Sequence, residues 1–132
     1  MKNKLQSLAT MLFISFAAFG QHQSLTELQT KTEYENISNR KIFTDSLASS
    51  FVIWVKKEVK PHKHLSHSEH VYILEGEAEM KLGNETFPVK TGDLVFIPQN
   101  TIHSLIVKSK IPLKVLSIQA PEFDGKDRVM IE

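Results

Sequence analysis

Pro61-His62-Lys63-His64-Leu65-Ser66-His67-Ser68-Glu69-His70-Val71-Tyr72-Ile73-Leu74-Glu75-Gly76 places four of the chain's six histidines within ten residues. His62 and His64 are two apart, so on an extended strand both imidazoles leave the same face. Glu69 follows after a short gap, and a run of β-forming residues carries the chain to Gly76. Further on, His103 comes just after Pro98-Gln99-Asn100-Thr101, a sequence with turn chemistry. Two imidazoles, a carboxylate and a distant third imidazole make a donor set suited to one divalent transition metal, and the absence of cysteine argues against a closed thiolate zinc site.

Working outward, the flanking sequence reads as short strands. Phe51-Val52-Ile53-Trp54-Val55 is β-branched and aromatic, and Lys41 to Thr44 can form a short strand before it. Lys56 to Lys60 is charged and reads as a strand end or an exposed edge. His70 to Glu75 is a strand stopped by Gly76. Glu77 to Leu82 alternates charged with apolar residues, as a half-buried strand does, and Gly83-Asn84 predicts a hairpin turn. Glu85 to Phe87 starts the return strand, and Pro88 places it at an edge. Leu94 to Ile97, His103 to Val107 and Pro112 to Gln119 complete the set, and the tail from Pro121 to Arg128 has turn chemistry. About eight short strands with almost no helical periodicity predict an all-β sandwich or barrel.

The beginning of the chain reads differently. Lys2 and Lys4 precede an uncharged, largely apolar run from Leu5 to Phe19, and Ala18 and Gly20 supply the small residues a signal peptidase reads. Residues 1–20 are therefore expected to be a secretory signal peptide, with a mature start at Gln21 and no stable membrane association after cleavage. The expected location is the periplasm or the exterior. Residues 21–40 are mostly polar and predict an N-terminal arm, with a possible helical turn at the capping-box spacing of Ser24 and Glu27. Residues 41–132 are then the β domain. Of 16 basic and 15 acidic residues, removing Lys2 and Lys4 leaves 14 basic against 15 acidic. A near-neutral chain without a basic, aromatic-laced stripe excludes a nucleic-acid partner. With no cysteine, the exported domain must be held by packing, association or metal instead of disulfides.

The spacing His62-x-His64-x4-Glu69-x6-Gly76 resembles the first motif of the cupin superfamily, and Gly92-x5-Pro98-x-Asn100-x2-His103 resembles most of the second. The resemblance implies a small double-stranded β-helix, or jelly-roll, barrel. It also implies a ligand set of His62, His64, Glu69 and His103 pointing inward, one divalent metal (iron, manganese, nickel, zinc or copper), and a homodimer. The chain departs from the pattern at Lys56, Asn100 and Val107, where glycine, glycine and asparagine are usual. Asn100 is the mildest, because asparagine tolerates the left-handed backbone of a turn glycine. His67 and His70 read as non-ligands. His62-x-His64-x2-His67 also overlaps a metallo-β-lactamase-like pattern, which needs aspartate where Ser66 stands and a longer αββα chain.

Fold and metal do not select a reaction. One expectation is a metal-dependent oxygenase, isomerase or lyase acting on a small organic molecule. Another is a module that binds a small ligand, such as a sugar or carboxylate, without turnover. A third is a dimeric structural barrel with a vestigial site. No general base stands out beside the ligands.

Overall fold

A computed structural model describes residues 21–30 and 33–132; the signal-peptide expectation for residues 1–20 lies outside them. Among the described residues there are ten strands and no helix: β1 (Ile37–Thr44), β2 (Ser49–Val55), β3 (Glu58–Lys63), β4 (Ser68–Glu75), β5 (Glu77–Leu82), β6 (Glu85–Lys90), β7 (Leu94–Ile97), β8 (His103–Val107), β9 (Leu113–Ala120) and β10 (Val129–Met130). They form two five-stranded antiparallel sheets, ordered β1-β2-β9-β4-β7 and β10-β3-β8-β5-β6. The inner faces meet in a double-stranded β-helix.

The period-2 alternation of the sequence becomes an inside and an outside. On β4, Glu69, Val71 and Ile73 are buried while His70 and Tyr72 are exposed; on β5, Ala78 and Met80 are buried between exposed Glu77, Glu79 and Lys81. The main core is built from Val55, Val71, Ile73, Met80, Ile97, Leu105, Leu113 and Val115. Each such side chain contributes roughly 1.5–3 kcal/mol by leaving water. A smaller cluster lies on the opposite face of β2. There Val52 and Trp54 are covered by Leu25, Leu28 and Tyr34 of the N-terminal arm. Two lysines tie the arm down. Lys56 donates to the Tyr34 carbonyl at 2.6 Å and lies over its ring, and the fully buried Lys114 reaches Glu75 at 2.8 Å and the Thr26 carbonyl at 3.4 Å.

Several boundaries differ from the sequence reading. The arm ends sooner, because β1 begins at Ile37 and pairs along β2 from Ile37↔Val55 to Thr44↔Ser49. The Ser24–Glu27 spacing yields only a turn over residues 25–27. The charged stretch expected to be a strand end is β3, running on to Lys63 and pairing with β8. The tail adds a short strand, β10, beside β3. The Gly83-Asn84 turn, Pro88 on the edge strand β6 and buried Met80 are as expected. Asn100 has φ 58°, the left-handed conformation its side chain permits. Gly76, at φ 87°, leaves no room for a side chain: a Cβ there would stand 2.9 Å from Ser109 Oγ and 3.1 Å from Leu113 Cα.

Candidate metal centre

His62 is the last paired residue of β3 on β8 and lies directly opposite His103, the first residue of β8. His64 follows just beyond the end of β3. Glu69 arrives from the other sheet, on β4, between Ile97 of β7 and Gln119 of β9. The two sheets thus bring together all four residues the sequence reading named. All four are buried, with exposures of 4–6%. One ring nitrogen from each of His62, His64 and His103 lies within 4.8 Å of the others. Glu69 Oε2 stands 3.7 Å from His64 Nε2 and 3.4 Å from His103 Nε2.

Backbone carbonyls orient the three imidazoles. His62 Nδ1 donates to Lys60 O at 2.8 Å, His103 Nδ1 to Thr101 O at 3.0 Å, and His64 Nδ1 to Asp127 O. A proton on each Nδ1 leaves each Nε2 with a free lone pair, which is the tautomer a metal ligand needs. Among the described residues, His103 Nε2 is buried without any hydrogen-bond partner. Such an orphan costs free energy unless something else engages it. The carboxylate is held too: Ser117 Oγ donates to Glu69 Oε1 at 2.5 Å, leaving Oε2 toward the imidazoles.

The electrostatics favour a neutral His62 beside a charged Glu69. Burial, and then the neighbouring His103, push the His62 pKa down to about 4. Burial alone would raise the pKa of Glu69, but its contacts with His103 and Ser117 outweigh that and hold it below the usual carboxylate range. Three imidazole nitrogens and one carboxylate oxygen fit a divalent ion of the iron, manganese, nickel, zinc or copper type, and the unpartnered His103 Nε2 is what such an ion would engage.

His67 and His70 do not join the set. His70 is exposed against Phe96 on the outer face. His67 is buried, but both its nitrogens are taken: Nδ1 meets Asp127 Oδ2 at 2.5 Å and Nε2 meets Glu122 O at 2.9 Å. Burial opposes its charge, yet these two acceptors raise its pKa on balance. Asp127 is the hub of this corner. Its carboxylate also accepts from the Leu65 and Ser66 amides at 2.8 Å and from Ser66 Oγ at 2.9 Å. Burial works against its charge, but these donors drive its pKa well below the usual carboxylate range. The sequence reading missed Ser117, Gln119, Phe123, Asp127 and Arg128. Only strand parity on β9, where residues 115, 117 and 119 face inward, offered a signal for the first two.

The site opens into a cavity of ≈ 120 Å³ between the sheets. Its walls are mostly apolar, with Ile53, Val55, Val71, Met80, Ile97 and Leu105 among them; Asn39, Ser104, Gln119 and Arg128 are the polar groups besides the four ligand candidates. Phe123 packs edge-on against Phe51, His64 and His67.

The chain is similar to several known proteins. An uncharacterised protein of Methanocaldococcus jannaschii is 38% identical over 87 residues, which are 66% of this chain and 69% of that one. The mannose-1-phosphate guanylyltransferase RfbM of Salmonella typhimurium is 36% identical over 67 residues, 51% of this chain but only 14% of the enzyme. Among solved structures, the nucleoside dehydratase Pac13 of Streptomyces superposes with a TM-score of 0.63 at 20% identity, over 76% of this chain and 92% of that one, a likeness of fold. The cupin-domain family Cupin_2 matches residues 50–119, more than half of the 132 residues. That match runs from β2 to β9 and takes in every strand that bears His62, Glu69 or His103; the chain belongs to the cupin family.

Proposed function

We propose that this is an exported, metal-dependent cupin enzyme acting on a small organic molecule inside its barrel, with His62, His64, Glu69 and His103 holding one divalent ion. The carrying observation is the convergence of three imidazoles whose Nδ1 atoms are all committed to carbonyls, with His103 Nε2 buried and unpartnered. An ion bound there would act as a Lewis acid toward a substrate oxygen, the chemistry of isomerase and lyase reactions, and a redox-active ion would supply the electrons that oxygenase chemistry needs. The chain's own groups do the rest. The carbonyls of Lys60, Thr101 and Asp127 fix the ring orientations, and Ser117 holds Glu69. The leader chemistry of residues 1–20 supports export, and N-terminal sequencing of secreted protein should find Gln21 first.

The test is elemental analysis of protein purified without chelator or nickel affinity resin, beside a His62→Ala/His64→Ala variant. About one ion per wild-type chain and none in the variant is the expected result. A wild type that stays metal-free after repletion at neutral pH rejects the reading. A second reading, a binding module without turnover, is favoured by one observation: among the described residues, Arg128 is the only titratable group lining the cavity besides the four ligand candidates, and it is no general base. Multiple turnovers in a substrate screen, abolished by His103→Ala, decide for the enzyme.

The reading includes a homodimer. On the outer face, Phe96, His70 and Ile118 form one cross-strand row and Leu94, Tyr72 and Leu116 the next, at the unpaired edge of β7. Leu94 is 63% and Phe96 50% exposed, apolar surface that a second copy would cover. Light scattering that gives a monomer mass at micromolar concentration rejects this part.

A further inference from the structure

Two groups in the cavity are not accounted for by the metal centre. Gln119 is 5% exposed, and its Oε1 is buried with no hydrogen-bond partner among the described residues. It extends from β9 beside Glu69 and lines the cavity. A buried amide oxygen without a donor is costly, so its retention needs a reason. Arg128 lines the same cavity from the tail, and among the described residues no carboxylate lies within ion-pair distance of it. Its backbone is fixed on both sides. Asp127 is clamped to residues 64–67, and Val129 and Met130 pair with Lys63 and His62. Burial lowers the Arg128 pKa and the Glu69 carboxylate raises it, so the guanidinium stands within electrostatic reach of the centre.

We infer that the cavity is a receptor for a small organic acid bearing a hydroxyl on an aliphatic body, with the carboxylate on Arg128 and the hydroxyl donating to Gln119 Oε1. Charge supports the acid. With a divalent ion in place, Glu69 and Arg128 leave the cavity about two charges positive, in surroundings whose walls offer little screening. Guanidinium is also the side chain best shaped to hold a carboxylate through two parallel bonds. Gln119 supports the hydroxyl, because an unpaired acceptor selects for a donor. The walls support the aliphatic body: Ile53, Val55, Val71, Met80, Ile97 and Leu105 are apolar, and Asn39 and Ser104 are too few to engage a sugar's whole ring of hydroxyls.

This rests on the metal reading above, and the test separates the two. Metal content is measured in every sample of the full chain, which is then titrated calorimetrically with 2-hydroxy-3-methylbutanoate, 3-methylbutanoate and the methyl ester of the hydroxy acid. The hydroxy acid should bind tightest, the deoxy acid roughly three- to tenfold weaker, and the ester roughly tenfold to a hundredfold weaker. Arg128→Gln should bring both acids down toward the ester while leaving metal content unchanged. Gln119→Leu should bring the hydroxy acid to the level of the deoxy acid and leave the deoxy acid unmoved. One ion per chain with no discrimination among the probes, or a Gln119→Leu that weakens both acids alike, overturns the inference and leaves the metal reading standing. So does a metal-loaded protein that binds neither these acids nor lactate, the same headgroup on a smaller body. A wild type that holds no ion overturns both.

Discussion

Replacing Asp127 by asparagine changes almost no volume and removes a charge that four donors share. The Leu65 amide reaches Oδ1, and the Ser66 amide, Ser66 Oγ and His67 Nδ1 all reach Oδ2, at 2.5–2.9 Å. Asparagine has one acceptor oxygen and one donor amine. With its oxygen toward the three donors at Oδ2, its amine faces the Leu65 N–H, donor against donor; the reverse orientation sets the amine against three donors. Hydrogen bonds to a charged acceptor contribute roughly 1.5–3 kcal/mol each and neutral ones roughly 0.5–1.5. Three weakened bonds and one lost one would give about 6 kcal/mol if all were dry. Leu65 and Ser66 are exposed, so water replaces part of the loss; His67 is buried and has no such substitute. The expected cost is about 2 kcal/mol, which for a domain of this size lowers Tm by about 8 °C.

Urea denaturation followed by circular dichroism, with chelator present so that no ion contributes, is the assay. The midpoint should fall at unchanged slope. Asp124→Asn is the control, because among the described residues the Asp124 carboxylate bonds only to Lys126 within its own exposed turn, and its midpoint should stay within ~0.5 kcal/mol of the wild type. If Asp127→Asn stays within ~0.5 kcal/mol of the wild type, the cluster is a solvated surface contact and not a clamp, since surface changes ordinarily fall in that range.

Other substitutions test other parts of the structure. Gly76→Ala should destabilise by roughly 1–3 kcal/mol, because the position combines a left-handed φ with a 2.9 Å encounter at Ser109 Oγ; an unchanged urea midpoint contradicts the close packing of β4 against the loop before β9. Ser117→Ala should weaken metal binding roughly tenfold to a hundredfold by freeing Glu69 Oε1, and competition with a chromophoric chelator reads it; equal affinity removes Ser117 from the site. At the arm, Glu75→Ala should cost more than Lys114→Met. The first strands a fully buried ammonium, and the second leaves only a half-exposed carboxylate. Denaturation midpoints in the opposite order refute the pairing.

What was legible in the sequence had a local cause. Strand parity put Val71, Ile73, Ala78 and Met80 inside, and the same rule put His62 and His64 on one side. Asn100 could stand for a turn glycine because its side chain permits φ 58°. What was illegible depended on pairing across the chain. Residues 58–63, Glu-Val-Lys-Pro-His-Lys, have no hydrophobic alternation. They form a strand because β8 and β10 bond their backbone on either side, with the ladder irregular between Val59 and His62, around Pro61, which has no N–H to give. Ile37 to Arg40 looked like arm because a strand at a sheet edge alternates weakly; its register comes from β2. Asp127 is 60 residues from His67 in sequence, and no spacing rule links them.

The ligand candidates are also structural junctions, and that ties the centre to the fold. His62 and His103 face each other across the β3–β8 ladder, Glu69 joins β4 to β9 through Ser117, and His64 holds the tail through the Asp127 carbonyl. An ion drawing these four side chains together would fasten one sheet to the other and the tail to both. Binding to the folded form alone stabilises it by mass action, by about 2.7 kcal/mol when free metal is a hundredfold above its dissociation constant. A cysteine-free domain has no disulfide to do this. The same geometry places Arg128 and Gln119 beside the centre only while β10 and the inward face of β9 are in register. Loss of the Asp127 clamp should therefore loosen the tail and weaken acid binding together, before it affects the core of Ile73, Leu113 and Val115.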